Sequence, residues 1–390
     1  MNAPLEIYAV FVLLIFFIIF YRIEKIHHQR SLNAIPMRIW VNGTRGKSSV
    51  TRLIAAGLKS GGKTVVAKTT GTSPRFISEG DTEATIIRLG NPNIREQIKM
   101  MEKAALHNPD AAVFECMALR PDLQYIESLK IVQPTLVVIT NVRPDHLDVM
   151  GPTVQDIAQS FVRAIPNNCS VFVNEHVLSD DVLAKLQNRN VKIYTSSVQD
   201  ISDAALSKFS YIEHRENVCL ALHVCTQCGV DEKAALKGMQ HAQPDPGALQ
   251  QYALDLDGKD VTLIYAMAAN DPESTYLIWQ SIDKNFSEIN ILINCRSDRI
   301  DRSFQFARLI KERLQADRYI LTGSGTDILA RKIYKFIDRS KVLDLGHKKP
   351  VQVLHEISAL VANKSLIFAI GNTVGYGEEM IGYFSQKRKR

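Results

Sequence analysis

From residue 38 to residue 370, short apolar runs rich in β-branched residues take turns with stretches whose apolar residues recur at helical spacing. The strand-like runs are Arg38–Val41, Val65–Lys68, Ala111–Cys116, Leu136–Asn141, Val171–Asn174 and Lys192–Thr195, with helical patterns such as Ser48–Gly61, Ile94–Asn108 and Val154–Ile165 between them. Strands joined through a helix run parallel, so this alternation predicts an α/β fold: a mostly parallel sheet covered by helices on both faces. A second series begins near residue 260, with strands Val261–Ala266, Ile289–Asn294, Tyr319–Thr322, Lys341–Leu345 and Leu366–Ile370 and helices such as Ser303–Gln315. The stretch Gln243-Pro-Asp-Pro-Gly247 parts the two series and reads as a hinge. A chain of 390 residues, 46% of them hydrophobic, can bury the core of two such domains, which excludes a disordered chain and a fibre.

The N-terminus stands apart. Leu5 to Tyr21 reads LEIYAVFVLLIFFIIFY, seventeen residues broken only by Glu6, at the short limit of a membrane-spanning helix. The basic residues Arg22, Lys25 and Arg30 follow the run rather than precede it, which argues against a cleaved signal peptide. By the positive-inside tendency they place the rest of the chain on the cytoplasmic side of the plasma membrane, as a single-pass protein. The expected organisation is a membrane anchor at 1–22, a basic juxtamembrane linker at 23–36, a central domain at 37–245, a C-terminal α/β domain at 246–386 and a basic tail at 387–390.

The formal charge of +6 is confined to two edges. Lys387 to Arg390 supply +4, and Arg22, Glu24, Lys25 and Arg30 together supply +2, so the body of the chain is neutral. A basic face that tracks nucleic acid is therefore not expected. The tail reads as a solvated end, with anionic lipid or a polyanion as the other reading. The six cysteines are scattered. Cys225 and Cys228 form a Cys-x-x-Cys with no second pair to complete a metal site. They lie in an apolar helical pattern, Val218 to Cys228, and read as core residues.

The strongest local motif is Val41-Asn42-Gly43-Thr44-Arg45-Gly46-Lys47-Ser48-Ser49, which follows the first strand and opens a helix. Glycines let backbone N–H groups converge on a phosphate, and the helix N-terminus adds its positive dipole end. Lys47 can reach the outer phosphates and the Ser48 hydroxyl a Mg2+ ion. A strict eight-residue phosphate loop needs glycine where this chain has Val41. Glu115 ends a further strand, and Asn141-Val-Arg-Pro-Asp145-His146-Leu-Asp148 follows the next. In a parallel sheet both lie at the carboxyl edge with the glycine loop, where such sheets bind ligands.

These motifs resemble the Mur ligase family, ATP-dependent amino-acid ligases that include folylpolyglutamate synthase. The resemblance runs from about residue 37 to the end. The family's phosphate loop is short, which accounts for the missing first glycine. The resemblance implies ATP on Gly43, Thr44, Arg45, Gly46, Lys47, Ser48 and Ser49, with Asn217 on adenine and Asn270 and Asp271 on the nucleotide. It implies a metal, Mg2+ or Mn2+, on Ser48, Ser73, Glu115 and His146, and a catalytic role for Lys47, Glu115 and His146. Arg296, Asp298 and Arg299 would bind substrate. Two departures stand out. Phe161 falls where the family places a carbamylated lysine that helps hold a second metal, and Gln250 and Met267 fall where it places an arginine and an aspartate that contact ribose. The segments MRIWVNGTRGKSSVTRL, FECMALRPD, DHLDVMGPT, AANDPEST and LINCRSDRIDR look like one branch in particular, the membrane-associated ligase subunits of poly-γ-glutamate synthase.

The resemblance therefore implies a γ-phosphoryl transfer from ATP to a glutamate γ-carboxylate, then attack by the α-amine of another glutamate. A growing poly-γ-glutamate chain, a membrane, partner subunits of a synthesis and export complex, and further copies of the chain are the implied partners. The C-terminal domain would close over ATP and exclude water. Two other readings stay open from the residues alone: an anchored ATPase that drives export or assembly without making an amide, and a non-catalytic scaffold of the same fold.

Overall fold

The computed structural model describes residues 5–389 apart from 72, 73, 79, 81, 89, 145, 146, 176, 210, 212, 245–249, 268–271 and 374. The chain divides into two compact units, Met1–Asp245 and Pro246–Arg390.

The first unit is built on eight strands: β1 (Met37–Asn42), β2 (Val65–Lys68), β3 (Arg75–Ile77), β4 (Glu83–Thr85), β5 (Ala111–Glu115), β6 (Leu136–Ile139), β7 (Ser170–Asn174) and β8 (Lys192–Ser196). They lie in the order β4-β3-β2-β5-β1-β6-β7-β8. From β2 to β8 across the sheet all pairs are parallel, while β3 and β4 add an antiparallel edge. The central strands are apolar at nearly every position because helices cover both faces. Trp40, Val66, Phe114 and Val137 pack on one side, and Ile39, Val41, Ala67, Val113 and Val138 on the other. Burial of each such valine, isoleucine or phenylalanine stabilises the fold by roughly 1.5–3 kcal/mol. The second face is covered by the helices Lys47–Ser60 (here α2) and Arg215–Gln227. A side chain at Gly57 in α2 would come within 2.7 Å of the Cys225 sulfur. Cys225 is a buried apolar contact of this layer, as expected from the helical pattern, and Cys228 is half-buried against its edge.

Helix α1 (Leu5–Asn33) bears on two expectations. Among the described residues no helix is long and apolar enough to cross a membrane. The apolar run from Val10 to Tyr21 meets Arg22, Glu24 and Lys25 within one further turn, so the spanning anchor expected at 1–22 is unsupported there. Nor is 23–36 a linker. The helix continues to Asn33 and docks on the first unit: Glu24 pairs with Arg95 at 3.0 Å, His28 Nε2 lies 2.8 Å from the Ile131 carbonyl, and Leu32 and Ile35 enter the core. Arg38 closes the joint by donating to the Leu32, Ile35 and Gln133 carbonyls.

The second unit has six strands: β9 (Gln250–Leu256), β10 (Lys259–Tyr265), β11 (Ile289–Cys295), β12 (Arg318–Gly323), β13 (Val342–Asp344) and β14 (Ser365–Gly371). Their order is β13-β12-β11-β14-β10-β9, parallel except for β9. β9 and β10 form a hairpin through Asp257 and Gly258, whose φ values of 55° and 81° suit the two-residue turn that matches strand twist. Within the basic tail, Lys387 to Lys389 are exposed but bonded to the sheet rather than a free end. Lys389 N–H donates to the Ala253 carbonyl and Asp255 N–H to the Lys387 carbonyl, while Arg388 lies 3.7 Å from the Tyr252 ring centre and Lys389 pairs with Asp260. These bonds cover the outer edge of β9.

Candidate active site

β1 ends at Asn42, one residue past the point where Val41 stands opposite Glu115 on β5 and Val138 on β6. The chain then turns through Gly43 to Gly46 and enters α2. Gly43 has φ +133° and Gly46 +79°, and a Cβ at these positions would lie 2.1 Å from Thr140 Oγ1 and 2.7 Å from Asn217 Oδ1. Only glycine fits either place. The first turn of α2 carries no acidic residue and no side-chain cap, so its N–H groups are left for an external anion. Lys47 folds back over the loop, its Nζ donating to the carbonyls of Gly43 at 2.8 Å and Thr44 at 3.2 Å.

The neighbouring strand ends hold this loop. Arg45 N–H donates to Asn141 Oδ1 at 3.0 Å, Thr140 Oγ1 and Asn141 Nδ2 donate to the Arg45 carbonyl, and Thr44 N–H donates to the Asn141 carbonyl. Asn42 Nδ2 donates to Gln124 Oε1 and accepts through Oδ1 from Gly43 N–H. Glu115 is 3% exposed. Its Oε2 accepts from Ser48 Oγ at 2.8 Å and from Thr70 N–H at 2.7 Å. A carboxylate and a hydroxyl oxygen in contact fit a small hard cation that completes its shell with water and phosphate oxygens. Among the described residues there is no cluster of three His, Cys, Asp or Glu that would hold a metal alone.

Behind Glu115 lies a buried polar layer that the sequence reading did not single out. Gln97, on the helix Glu96–Ala105 (α3), donates to the Glu115 carbonyl at 2.9 Å and to Glu127 Oε1 at 2.8 Å. Glu127 is wholly buried. Burial pushes its carboxyl up, against hydrogen bonds from Trp40 and Gln97 that pull it down. Lys68, also wholly buried, pairs with Glu96 at 2.7 Å, and Arg88 grips the same carboxylate with two N–H groups. Burial works to raise the Glu96 carboxyl, but the hydrogen bonds from Arg88 and Lys68 outweigh it and bring it down to about 2. Burial lowers the Lys68 ammonium even against that pairing.

Asn217 is buried at the start of the helix Arg215–Gln227, beside Gly46, and donates to Glu213 Oε1 at 2.8 Å. Next to it a recess of about 200 Å3 is lined by Asn141, Arg143, Asn174, Ser196 and Glu216 among others. Thus the structure brings Gly43, Thr44, Arg45, Gly46, Lys47, Ser48, Glu115 and Asn217 to one sheet edge, with Ser49 in the first turn of α2. Ser73, His146, Asn270 and Asp271 lie outside the described residues. Phe161 is buried in the core and offers no metal ligand, and Met267 is buried in the second unit.

In the second unit the expected substrate residues follow β11. Arg296 is occupied by Asp298 in a two-bonded pair at 3.0 and 2.7 Å, and Arg299 is exposed at the start of the helix Ile300–Glu312. β14 lies between β11 and β10, so the strand order reverses at β11 and β14, the point where such sheets open a crevice. There Arg302 donates to Asn372 Oδ1 at 2.9 Å, and Asn294 and Asn372 exchange bonds through their side-chain amides and main-chain carbonyls. Arg302 and Asn372 were missed, although Asn372 sits two residues past a predicted strand end and Arg302 directly before the predicted helix start Ser303.

Comparison with known proteins agrees with this arrangement. Residues 41–240 match the Mur ligase middle domain, and residues 251–387 match the poly-gamma-glutamate synthase CapB C-terminal domain. The chain is 35% identical to PGA synthase CapB of Bacillus subtilis, over 92% of this chain and 93% of that one. It is also 35% identical to the capsule biosynthesis protein CapB of Bacillus anthracis, over 98% and 83%. Its fold is similar to that of a bifunctional folylpolyglutamate synthase/dihydrofolate synthase from Yersinia pestis solved with AMPPNP and a Mn ion, with TM-score 0.65, 14% identity, and coverage of 93% and 92%. With two α/β units in this order and a glycine loop facing Glu115, the chain belongs to the Mur ligase family, in its CapB branch.

Proposed function

We propose that this chain is an ATP-dependent amide ligase that joins glutamate units into poly-γ-glutamate. The observation that carries the reading is the contact of Ser48 with Glu115 beneath a glycine loop whose helix start is uncapped. The match of residues 251–387 to the poly-gamma-glutamate synthase CapB C-terminal domain, with 35% identity to PGA synthase CapB, points to the same polymer.

The chemistry follows from what an amide bond needs. A carboxylate is a poor electrophile, so one glutamate γ-carboxylate oxygen first attacks the γ-phosphorus of ATP. The bond from that phosphorus to ADP breaks, and an acyl phosphate remains. The neutral α-amine of a second glutamate then adds to the carbonyl carbon. The C–O bond to phosphate breaks, the nitrogen loses a proton, and inorganic phosphate leaves. The N–H groups at the start of α2 hold the phosphates, and Lys47, released from its contacts with Gly43 and Thr44, follows the charge on the transferring group. Ser48 and Glu115 would hold a divalent cation, Mg2+ or Mn2+, which would neutralise phosphate charge. The recess between Asn141, Asn174, Ser196 and Glu216 receives the base and ribose. Arg299, at the start of the helix Ile300–Glu312, offers a guanidinium to a substrate carboxylate.

A membrane location for the N-terminal end of α1 belongs to the same proposal. Its support is the solvent-exposed apolar run Val10–Tyr21 and the basic residues Arg22, Lys25 and Arg30 behind it. The test of the reaction is incubation of the full chain with Mg-ATP and L- or D-glutamate, in membranes of the producing cell and purified. Phosphate release and glutamate oligomers are followed by mass spectrometry. Oligomers that need glutamate and vanish in Lys47→Ala are the expected result. ATP hydrolysis indifferent to glutamate, with no oligomers in either preparation, would replace the ligase with an ATPase.

A further inference from the structure

Glu115 is the last residue of β5, and the chain leaves the sheet immediately after it. Cys116 N–H still reaches the Val41 carbonyl at 2.8 Å. Beyond that bond the sheet no longer dictates the path, yet the direction taken there sets where the Glu115 carboxylate points. Two wholly buried side chains take over. Gln97 donates to the Glu115 carbonyl at 2.9 Å. Glu127 accepts from Met117 N–H with both oxygens, at 3.1 and 3.2 Å, and from Ala118 N–H at 3.1 Å. Gln97 also donates to Glu127 at 2.8 Å, and Trp40 Nε1 on β1 donates to it at 3.1 Å.

The chemistry of this clamp is costly unless it is complete. A carboxylate removed from water is tolerated only when its lone pairs are filled, and Glu127 draws donors from β1, α3 and the loop after β5. The orientation of Gln97 is forced as well. Its nitrogen faces two acceptors, so the reversed amide would set oxygen against oxygen. Glu127 opens a π-helical turn, Glu127–Val132, a rare conformation frequent at functional sites.

We infer that Gln97 and Glu127 are positioning residues for metal binding: together they fix the exit of the chain from β5 and so hold Glu115 Oε2 against Ser48. Neither touches the cation or the nucleotide. The inference rests on the reading of Glu115 as a metal ligand, and the experiment separates the two.

Mn2+ binding to the full chain with AMPPNP is measured by electron paramagnetic resonance, with thermal melts to monitor the fold. Four variants are compared with the parent: Glu115→Gln, Gln97→Met, Glu127→Gln and Trp40→Phe. Outer partners of metal ligands commonly alter affinity by about 10- to 100-fold. Gln97→Met and Glu127→Gln are therefore expected to weaken Mn2+ by about tenfold or more, while AMPPNP without metal binds as in the parent. Trp40→Phe removes one donor to Glu127 on the side away from Ser48, gives a smaller change in the same direction, and decides the matter if the other two do not fold. Unchanged Mn2+ affinity in the folded clamp variants, with affinity lost in Glu115→Gln, would overturn the clamp and leave the ligand reading intact. Unchanged affinity in Glu115→Gln would overturn both.

Discussion

Glu96 shows at the scale of one residue how much charge this fold has placed behind its glycine loop. Its carboxyl lies at about 2 because Arg88 and Lys68 hold it ionised, although burial alone would raise it. A carboxyl depressed on folding stabilises the native state above its unfolded value, near 4.5, and that contribution drains away as pH falls toward about 2. Lys68 does not add to this, because burial lowers its ammonium and so opposes the charged form throughout the acid range. Melting temperature measured between neutral pH and about 2 should therefore fall most steeply below 4.5. Glu96→Gln should melt lower at neutral pH and lose part of that slope, and a parallel curve for the variant would show that Glu96 is not the group responsible. The residues of this layer were hidden in the sequence for a physical reason. Lys68 reads as the end of an apolar strand and Gln97 as a polar position in a helical pattern, where solvent is the ordinary partner, while Glu127 falls in a stretch to which no element was assigned. Their partners are brought together only by the sheet order. The glycine loop was legible because its chemistry is local: backbone freedom at Gly43 and Gly46, then Lys47 and Ser48 at a helix start.

At the scale of elements, strand and helix periodicity carried most of the fold, and what it missed lies at edges. β3 and β4 are three-residue strands, too short for alternation to register. β9 was missed although Asp257-Gly258 is a strong hairpin signal, because the reading began its second series at the more hydrophobic β10. The tail was misjudged because four consecutive basic residues favour solvent unless an unpaired edge is waiting for them. Two backbone hydrogen bonds to β9 and the Arg388–Tyr252 contact together contribute about 2 kcal/mol. Deletion of residues 387–390 should therefore lower the free energy of unfolding by about that amount. It should also raise concentration-dependent association through the uncovered β9 edge, read by light scattering. A tail of no structural consequence would leave both unchanged.

On the scale of the whole molecule, the division into Met1–Asp245 and Pro246–Arg390 matters to the proposed reaction, in which each unit would bring a different part of the chemistry. The first carries the glycine loop, Glu115 and the recess beside Asn217, all suited to a nucleotide. The second carries the β11–β14 crevice, where the buried oxygen Asn294 Oδ1 finds no partner among the described residues. Each unpaired buried oxygen costs about 1–3 kcal/mol, which a substrate ammonium or hydroxyl donor would recover. If the two halves bind separate reactants, their occupancy should be separable by hydrogen exchange on the full chain. AMPPNP with Mg2+ should slow exchange around residues 43–52 and 115–118 and leave 294–302 and 371–373 unchanged. Glutamate added next should protect the second pair of segments, and only one enantiomer should do so where the crevice reads the α-carbon. Protection of residues 294–302 by nucleotide alone would show that β11 belongs to the nucleotide site, and Arg299 would then pair with phosphate rather than with a substrate carboxylate.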